Sequence, residues 1–245
     1  ANAALGRRGI RMKFFPENPI LVYRPFHLNE RNYLYLADRG RIYGDVRLFD
    51  DQGTGIHFYT NREDTIADQE MTVELSRIDL KQFKKVLPYL PDVEGWLGGS
   101  LHYVDSEGQM MLSADMNLDN FVYEKSPLGN WTMSGAYLPG DNNAHHVDGF
   151  ITYNDQEIIY MNGVYQANET GQENITGELE LQHFPLRVIN PFIPEKMVAF
   201  TGDIDGTLSM TGSPMKPVLN GGLQLDSVLM IMPDMSVGFR FDNKQ

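Results

Sequence analysis

The residues from Thr201 to Val228 alternate between apolar and polar side chains. At period two, Ile204, Gly206, Leu208 and Met210 fall on one side, and Asp203, Asp205, Thr207 and Ser209 on the other. This is the pattern of a half-buried β-strand. Gly212-Ser-Pro-Met-Lys-Pro217 should interrupt it, because proline supplies no N–H to a ladder and glycine favours a turn. Gly221, Leu223 and Leu225 then resume the apolar side on a second strand. The stretch predicts an antiparallel pair with one apolar face.

The same pattern stands earlier in the chain. Laid over Gly202–Met210, the segment Gly95–Tyr103 matches Gly95 to Gly202, Gly99 to Gly206 and Leu101 to Leu208. Further on, Leu112 meets Leu219, Leu118 meets Leu225 and Asp119 meets Asp226. Upstream, with an offset one residue shorter, Leu80, Phe83, Val86, Leu87 and Pro88 meet Leu186, Ile189, Phe192, Ile193 and Pro194. A long fixed period with one element order predicts a stacked repeat array rather than a closed globule. The boundaries expected are 1–72 for the end of a preceding unit, 73–180 for a full unit, and 181–245 for the start of the next. The last unit stops short, and Ser236–Phe241 alternates like a strand just before the sequence ends. The chain therefore reads as a piece of a longer protein, with any bilayer anchor outside it.

Elsewhere, Ile42, Gly44, Val46 and Leu48 alternate with polar residues, and Ile56 and Phe58 form a return strand after the Asp50–Gly53 turn. Residues 1–20 show little pattern and read as an extended segment. Leu80, Phe83, Val86, Leu87 and Leu90 have helical spacing, with Asp79 as N-cap and Pro88 and Pro91 as stops. Pro185 opens the equivalent helix near 186–194. Strands are expected at 97–104, 109–118, 131–137, 147–154, 157–165 and 173–182, with 120–124 a further candidate. Glycines inside strands, such as Gly99, Gly163, Gly177 and Gly206, mark bulges or close backbone approach and would let a sheet bend. The fold class expected is mainly β: an elongated, strongly curled antiparallel or mixed sheet repeat, open like a taco, with one short helix per repeat.

Composition narrows the chemistry. A net charge of −13 argues against binding phosphate backbones, so no nucleic-acid partner is expected. The absence of cysteine removes disulfides, thiolate metal sites and cysteine nucleophiles. His145-His-Val-Asp148 beside Asp141 has metal-ligand residue types, but adjacent histidines on a strand point to opposite faces. A polar hairpin is the simpler reading. Glu63, Asp64, Asp68 and Glu70 read as a solvated acidic loop, and Asp203 with Asp205 as outward surface charge. No Gly-x-Ser-x-Gly elbow occurs. Asn130, Asn168 and Asn174 stand in glycosylation-type triplets, which carry no meaning in a bacterial protein. The methionines Met110, Met111, Met116, Met161, Met210, Met230 and Met232 lie in or beside the strands, where they fill gaps and adapt to varied apolar partners.

The run Gly202-x-x-x-Gly206-x-Leu208-x-Met210-x-Gly212-Ser-Pro-x-x-Pro217-x-Leu219-x-Gly221-x-Leu223-x-Leu225 resembles the repeated signature of the TamB family. These are translocation and assembly module proteins within the AsmA-like group of bridge-like lipid-transfer proteins. Phe184-Pro-Leu186 before the second helix is also similar. The first copy departs, with Val104-Asp-Ser-Glu-Gly108 in place of the proline turn and Ile78-Asp-Leu80 in place of Phe-Pro-Leu. The resemblance implies a folded-over sheet with an apolar interior groove, anchored in the inner membrane and reaching across the periplasm of a Gram-negative cell. It implies phospholipid or other acyl lipid as cargo, and an outer-membrane barrel as assembly partner, with membrane contact only through parts outside this segment. The groove-lining residues expected are Ile42, Val46, Leu48, Leu101, Leu112, Met116, Leu118, Leu179, Ile204, Leu208, Met210, Leu223 and Leu225. No catalytic residue, metal or cofactor is expected. Two alternatives stand beside this reading. One is a scaffold that docks the barrel partner without carrying lipid. The other is a carbohydrate-binding or carbohydrate-active β-sandwich, motivated by Trp96, Trp131 and the tyrosines.

Overall fold

Alternation in short runs, punctuated by turn residues, makes antiparallel strands joined by tight connections, and almost the whole chain follows this rule. The structure is a computed structural model. It describes residues 2–6, 9–15, 18–21, 24–60, 68–86, 88–167, 173–194 and 197–241. They group into two units, 1–121 and 122–245.

The first unit contains β1 (Asn2–Gly6), β2 (Gly9–Lys13), the two-residue strands β3 (Ile20–Leu21), β4 (Arg24–Pro25) and β5 (His27–Leu28), β6 (Tyr33–Ala37), β7 (Ile42–Phe49), β8 (Gly55–Tyr59), β9 (Gln69–Asp79), β10 (Val93–Ser106) and all but the last two residues of β11 (Gln109–Tyr123). Apart from the β3–β4 hairpin and β5, which pairs with β7, the strands lie side by side in chain order. The second unit holds β12 (Ser126–Pro139), β13 (Ala144–Tyr153), β14 (Gln156–Ala167), β15 (Glu173–Pro185), β16 (Ala199–Ser213), β17 (Lys216–Met232) and β18 (Val237–Phe241), again in chain order. The registers that join them are all antiparallel.

Register then fixes which side chains share a face. In the first unit, Val46, Phe58, Val73 and Leu101 stand in one row across four strands. Arg47, His57, Glu74 and Ser100 form the neighbouring row on the opposite face. The sheet is apolar on one side and polar on the other. Buried polar side chains clamp its margins. The amide of Gln69 accepts from Ile42 N and donates to Ile42 O, both at 2.7 Å. Asn32 accepts from Phe14 N and donates to Asn29 O, and Asp50 accepts from Thr54 N while pairing with Arg24.

Among the described residues, the buried aliphatic side chains are those of Leu128, Ile158, Leu186, Val188 and Val228, all in the second unit. Leu186 and Val188 belong to a 3-10 helix, Leu186–Phe192, that leaves β15 at Pro185. The first unit has its counterpart in a 3-10 turn, Leu80–Gln82, that runs into α1 (Phe83–Val86). Asp79 caps it, accepting from Lys81 N at 3.0 Å and from the Gln82 side chain at 2.7 Å.

Several elements differ from expectation for identifiable reasons. Residues 1–20 contain strands β1 and β2, because Ile10 and Met12 alternate with Arg11 and Lys13 and pair with Leu36 and Leu34. The helix expected over 80–90 is one 3-10 turn and one α turn, since Pro88 denies it further length. At 212–217, β16 continues to Ser213 and β17 starts at Lys216, leaving only Pro214-Met215 to turn. Pro217 stands inside β17 opposite Gly212. Among the described residues, Lys216–Gln224 pairs only with β16, so an edge position tolerates the missing N–H. The strands expected at 109–118 and 120–124 are one strand, β11, with Asn120 left-handed inside it. Glu63, Asp64 and the Asn168 triplet lie outside the described residues.

The two copies recognised in the sequence also match in backbone irregularity. Left-handed non-glycine residues occur at Arg77 and Asn120 in the first, and at the aligned His183 and Ser227 in the second. Gly95 and Gly99 have positive φ, as do their counterparts Gly202 and Gly206.

Candidate functional site

Three adjacent rows define the apolar face of the second unit. The first is Tyr137, Val147, Gly163, Gly177, Met210 and Leu219. The next is Gly135, Gly149, Met161, Leu179, Leu208 and Gly221, followed by Met133, Ile151, Ile159, Leu181, Gly206 and Leu223. Large side chains and glycines meet across strands, so the surface has depressions where glycines adjoin. Gly163 and Gly177 form the floor of one such depression. It is a trough of about 450 Å³ walled by Val147, Met161, Leu179, Leu208, Met210 and Leu219. The glycines here are also steric requirements. A Cβ at Gly221 would stand 2.1 Å from the Thr207 carbonyl oxygen, and one at Gly206 2.2 Å from that of Gly222.

Much of this face is open to solvent. Leu219 is 64% exposed, Leu223 48% and Val147 47%. Isolated exposed apolar residues are ordinary, but a contiguous set across several strands marks an interaction surface. The opposite face carries Ala136, Asp148, Asn162, Glu178, Ser209 and Asn220 in one row. Tyr160 donates to Asp148 there at 2.6 Å, which raises the phenol pKa. Tyr165, on the apolar-face parity, donates to Glu173 at 3.0 Å with the same effect.

The sequence-derived lining residues fall into two sets. Leu179, Ile204, Leu208, Met210, Leu223 and Leu225 share the apolar face of the second unit. In the first unit, Ile42, Val46 and Leu48 share a strand face, which Phe58 and Val73 connect to Leu101. A Cβ at Gly99 would stand 2.7 Å from Met116 Cα, which places Met116, and by alternation Leu112 and Leu118, on that side too. Missing from the sequence reading were Val147, Ile151, Ile159 and Leu181. Their alternation was visible within each strand, but their adjacency to Leu208 emerges only from register.

The other candidate clusters have structural partners. His145 lies between the rings of Tyr137 and Tyr165, and its Nδ1 is 2.5 Å from the Tyr137 hydroxyl. No group of three metal-ligand side chains occurs among the described residues. Asp205 accepts from His183 N at 2.7 Å and contacts its ring. Asp68 pairs with Arg41. Trp131 donates its indole N–H to Leu128 O and packs on Tyr153, while Arg77 covers Trp96. On the polar face of the first unit, His57 lies 3.1 Å from Asp45 and 3.5 Å from Glu74, and Tyr59 donates to Glu74.

Among the described residues, no helix is long and apolar enough to cross a membrane, which says nothing of strands. No protein-family model, curated protein or solved structure matches this chain.

Proposed function

We propose that the chain is a periplasmic segment of a TamB-like envelope protein, whose apolar face shields acyl chains during lipid movement between inner and outer membranes and supports outer-membrane protein assembly. The observation that carries the reading is the contiguous apolar face of the second unit, open to solvent around a glycine-floored trough. An acyl chain laid there supplies the apolar cover that the sheet otherwise lacks. Each methylene removed from water contributes about 0.8 kcal/mol. No bond need be made or broken, since transport would follow the concentration gradient. The strong curl expected from the sequence is not found in the sheet; in this reading the apolar face of the second unit serves as one wall of an open groove along which acyl chains lie.

The test is uptake of a neutral apolar dye, N-phenyl-1-naphthylamine, and of phospholipid detected by native mass spectrometry. The wild-type chain should take up both. Leu208→Asp, which puts a charge beside the trough, should abolish uptake while the circular dichroism of the sheet persists. Equal uptake by the two proteins would refute the reading.

A second reading is favoured by one feature, the Lys216–Gln224 edge, which among the described residues pairs on one side only. Such an edge accepts a partner strand, and a barrel protein of the outer membrane would dock there without lipid carriage. Retention of that barrel by the Leu208→Asp variant, with no lipid found in the wild type, would favour it.

A further inference from the structure

The outer edge of β17 lacks most of the devices that keep sheet edges from pairing. Lys216–Gln224 bonds β16 on one side and, among the described residues, no strand on the other. All of these residues are exposed, Leu219 at 64% and Val218 at 54%. Natural edges are blunted by charge, proline, bulges or a covering element. Here Lys216 and Pro217 stand at one end. The stretch Val218-Leu-Asn-Gly-Gly-Leu-Gln224 carries no charge and no proline, in a chain of net charge −13. Its register with β16 is unbroken from Asp203–Asp226 to Ser213–Lys216, so no bulge twists it away. Two copies of so acidic a chain would repel least along this edge.

The edge is also complementary to itself. Turned about a two-fold axis through Asn220, it places Lys216 opposite Gln224 of the second copy, Pro217 opposite Leu223, Val218 opposite Gly222 and Leu219 opposite Gly221. Each contact is then made twice, as in any isologous interface. Large side chains meet glycines at the centre. Lys216 stands diagonal to Asp226 of the second copy, within the reach of a cross-strand ion pair. Asn220 meets its own counterpart on the axis, where the two amides can exchange hydrogen bonds. Parity is kept as well: Leu219, Gly221 and Leu223 of the apolar face meet apolar-face residues of the second copy, and both faces continue across the axis. We propose that Lys216–Gln224 is a homodimerisation edge, at which two copies of this chain join their sheets by antiparallel strand addition. The inference is independent of lipid carriage, and it gives the edge to a second copy rather than to a barrel protein.

Sedimentation velocity of the whole chain should show a monomer and a dimer whose ratio rises with concentration. Gly222→Lys is the disrupting variant. A Cβ there meets nothing within 4 Å and the backbone is outside the left-handed region, so the fold accepts it. Each new lysine would stand diagonal to Lys216 of the second copy, and the dimer should weaken about tenfold or more with the circular dichroism unchanged. Because the chain has no cysteine, Asn220→Cys places its only thiol on the axis. Residues directly opposite in an antiparallel pair have Cβ atoms about 4.5–5.5 Å apart, near the span of a disulfide. Oxidised glutathione should therefore link Asn220→Cys into a covalent dimer. Val218→Cys, whose counterpart lies four residues off along the second strand, should not be linked. A wild-type chain that stays monomeric at the highest concentration reached overturns the proposal. So does a dimer that Gly222→Lys leaves intact, or equal linking of the two cysteine variants.

Discussion

Gly163 offers a substitution in which stability and binding should move in opposite directions. Its backbone is outside the left-handed region, and an added Cβ would lie 3.5 Å from Thr176 O and 3.9 Å from Gly177 Cα, ordinary contact distances. A β-branched residue suits such a site, so Gly163→Val should stabilise the strand by about 0.5–1 kcal/mol through reduced chain entropy and better strand propensity. For a chain of this size that raises Tm by about 2 °C. The same side chain rises from the floor of the trough. If its three carbons exclude as many acyl methylenes, binding weakens by about 2.4 kcal/mol. That is roughly fiftyfold in Kd. Thermal unfolding by circular dichroism reads the first quantity, and titration with N-phenyl-1-naphthylamine the second. Gly206→Val is the control: its φ is +149° and its Cβ would stand 2.2 Å from Gly222 O. It should lose about 1–3 kcal/mol from backbone strain. A Gly163→Val protein that binds dye like wild type, or melts several degrees lower, refutes the reasoning.

Other expectations follow from the same geometry. Ile158 is 2% exposed and Leu219 64%, so Ile158→Ala should cost about 2–5 kcal/mol. Leu219→Ala should stay within about 0.5 kcal/mol; equal losses in urea melts would mean that the apolar face is sealed in solution. The Tyr59 hydroxyl donates to Glu74 at 3.0 Å, and that bond, followed by burial, raises its pKa above the ordinary 10.0. The fold favours the protonated phenol, so this contribution is complete below about pH 10. It is lost as pH rises through the folded-state pKa. Ultraviolet titration should show Glu74→Gln ionising Tyr59 at lower pH, and an unchanged midpoint would contradict the assigned cause. Finally, an acyl ligand present at a hundred times its Kd should raise apparent stability by about 2.7 kcal/mol, and a Tm indifferent to ligand would count against the open face.

Strand alternation made most of this sheet legible in advance. Ile204, Leu208 and Met210 could be assigned to one face without coordinates because period two leaves no freedom within a regular strand. The short helices were legible as places where that period breaks, but their lengths were not, since Pro88 and Pro191 act against different backbones. Cross-strand neighbours were the larger loss. That Gly163 meets Gly177 and then Met210 depends on where each hairpin closes, and a shift of one residue would reverse every face. A cavity of about 470 Å³ beside the 3-10 helix Leu186–Phe192 was illegible for a related reason. Its walls include Leu128 near the start of β12, Tyr153 at the end of β13, Arg187 in the helix, Ala199 at the start of β16 and Pro233 after β17, which no local pattern joins.

The points where alternation fails explain how the apolar face stays continuous. Leu75 pairs with Gly99 and Ile78 with Leu97, so two residues three apart in β9 share a face. Arg77, left-handed at φ 47°, lies between them. In β15, Leu181 pairs with Gly206 and Phe184 with Ile204, and left-handed His183 intervenes. In β17, Leu225 pairs with Ile204 and Met230 with Phe200, with left-handed Ser227 between. Each is a bulge, in which one extra residue on a strand opposes its partner and resets parity. Without the extra residue, Phe184 would turn to the side of Glu180. Val228, now 2% exposed, would turn to the side of Asp226. The bulges therefore extend the apolar surface past the length that strict alternation in this sequence permits, up to the helix that ends it. Their recurrence at aligned positions in both copies ties the duplication to that surface rather than to strand length alone.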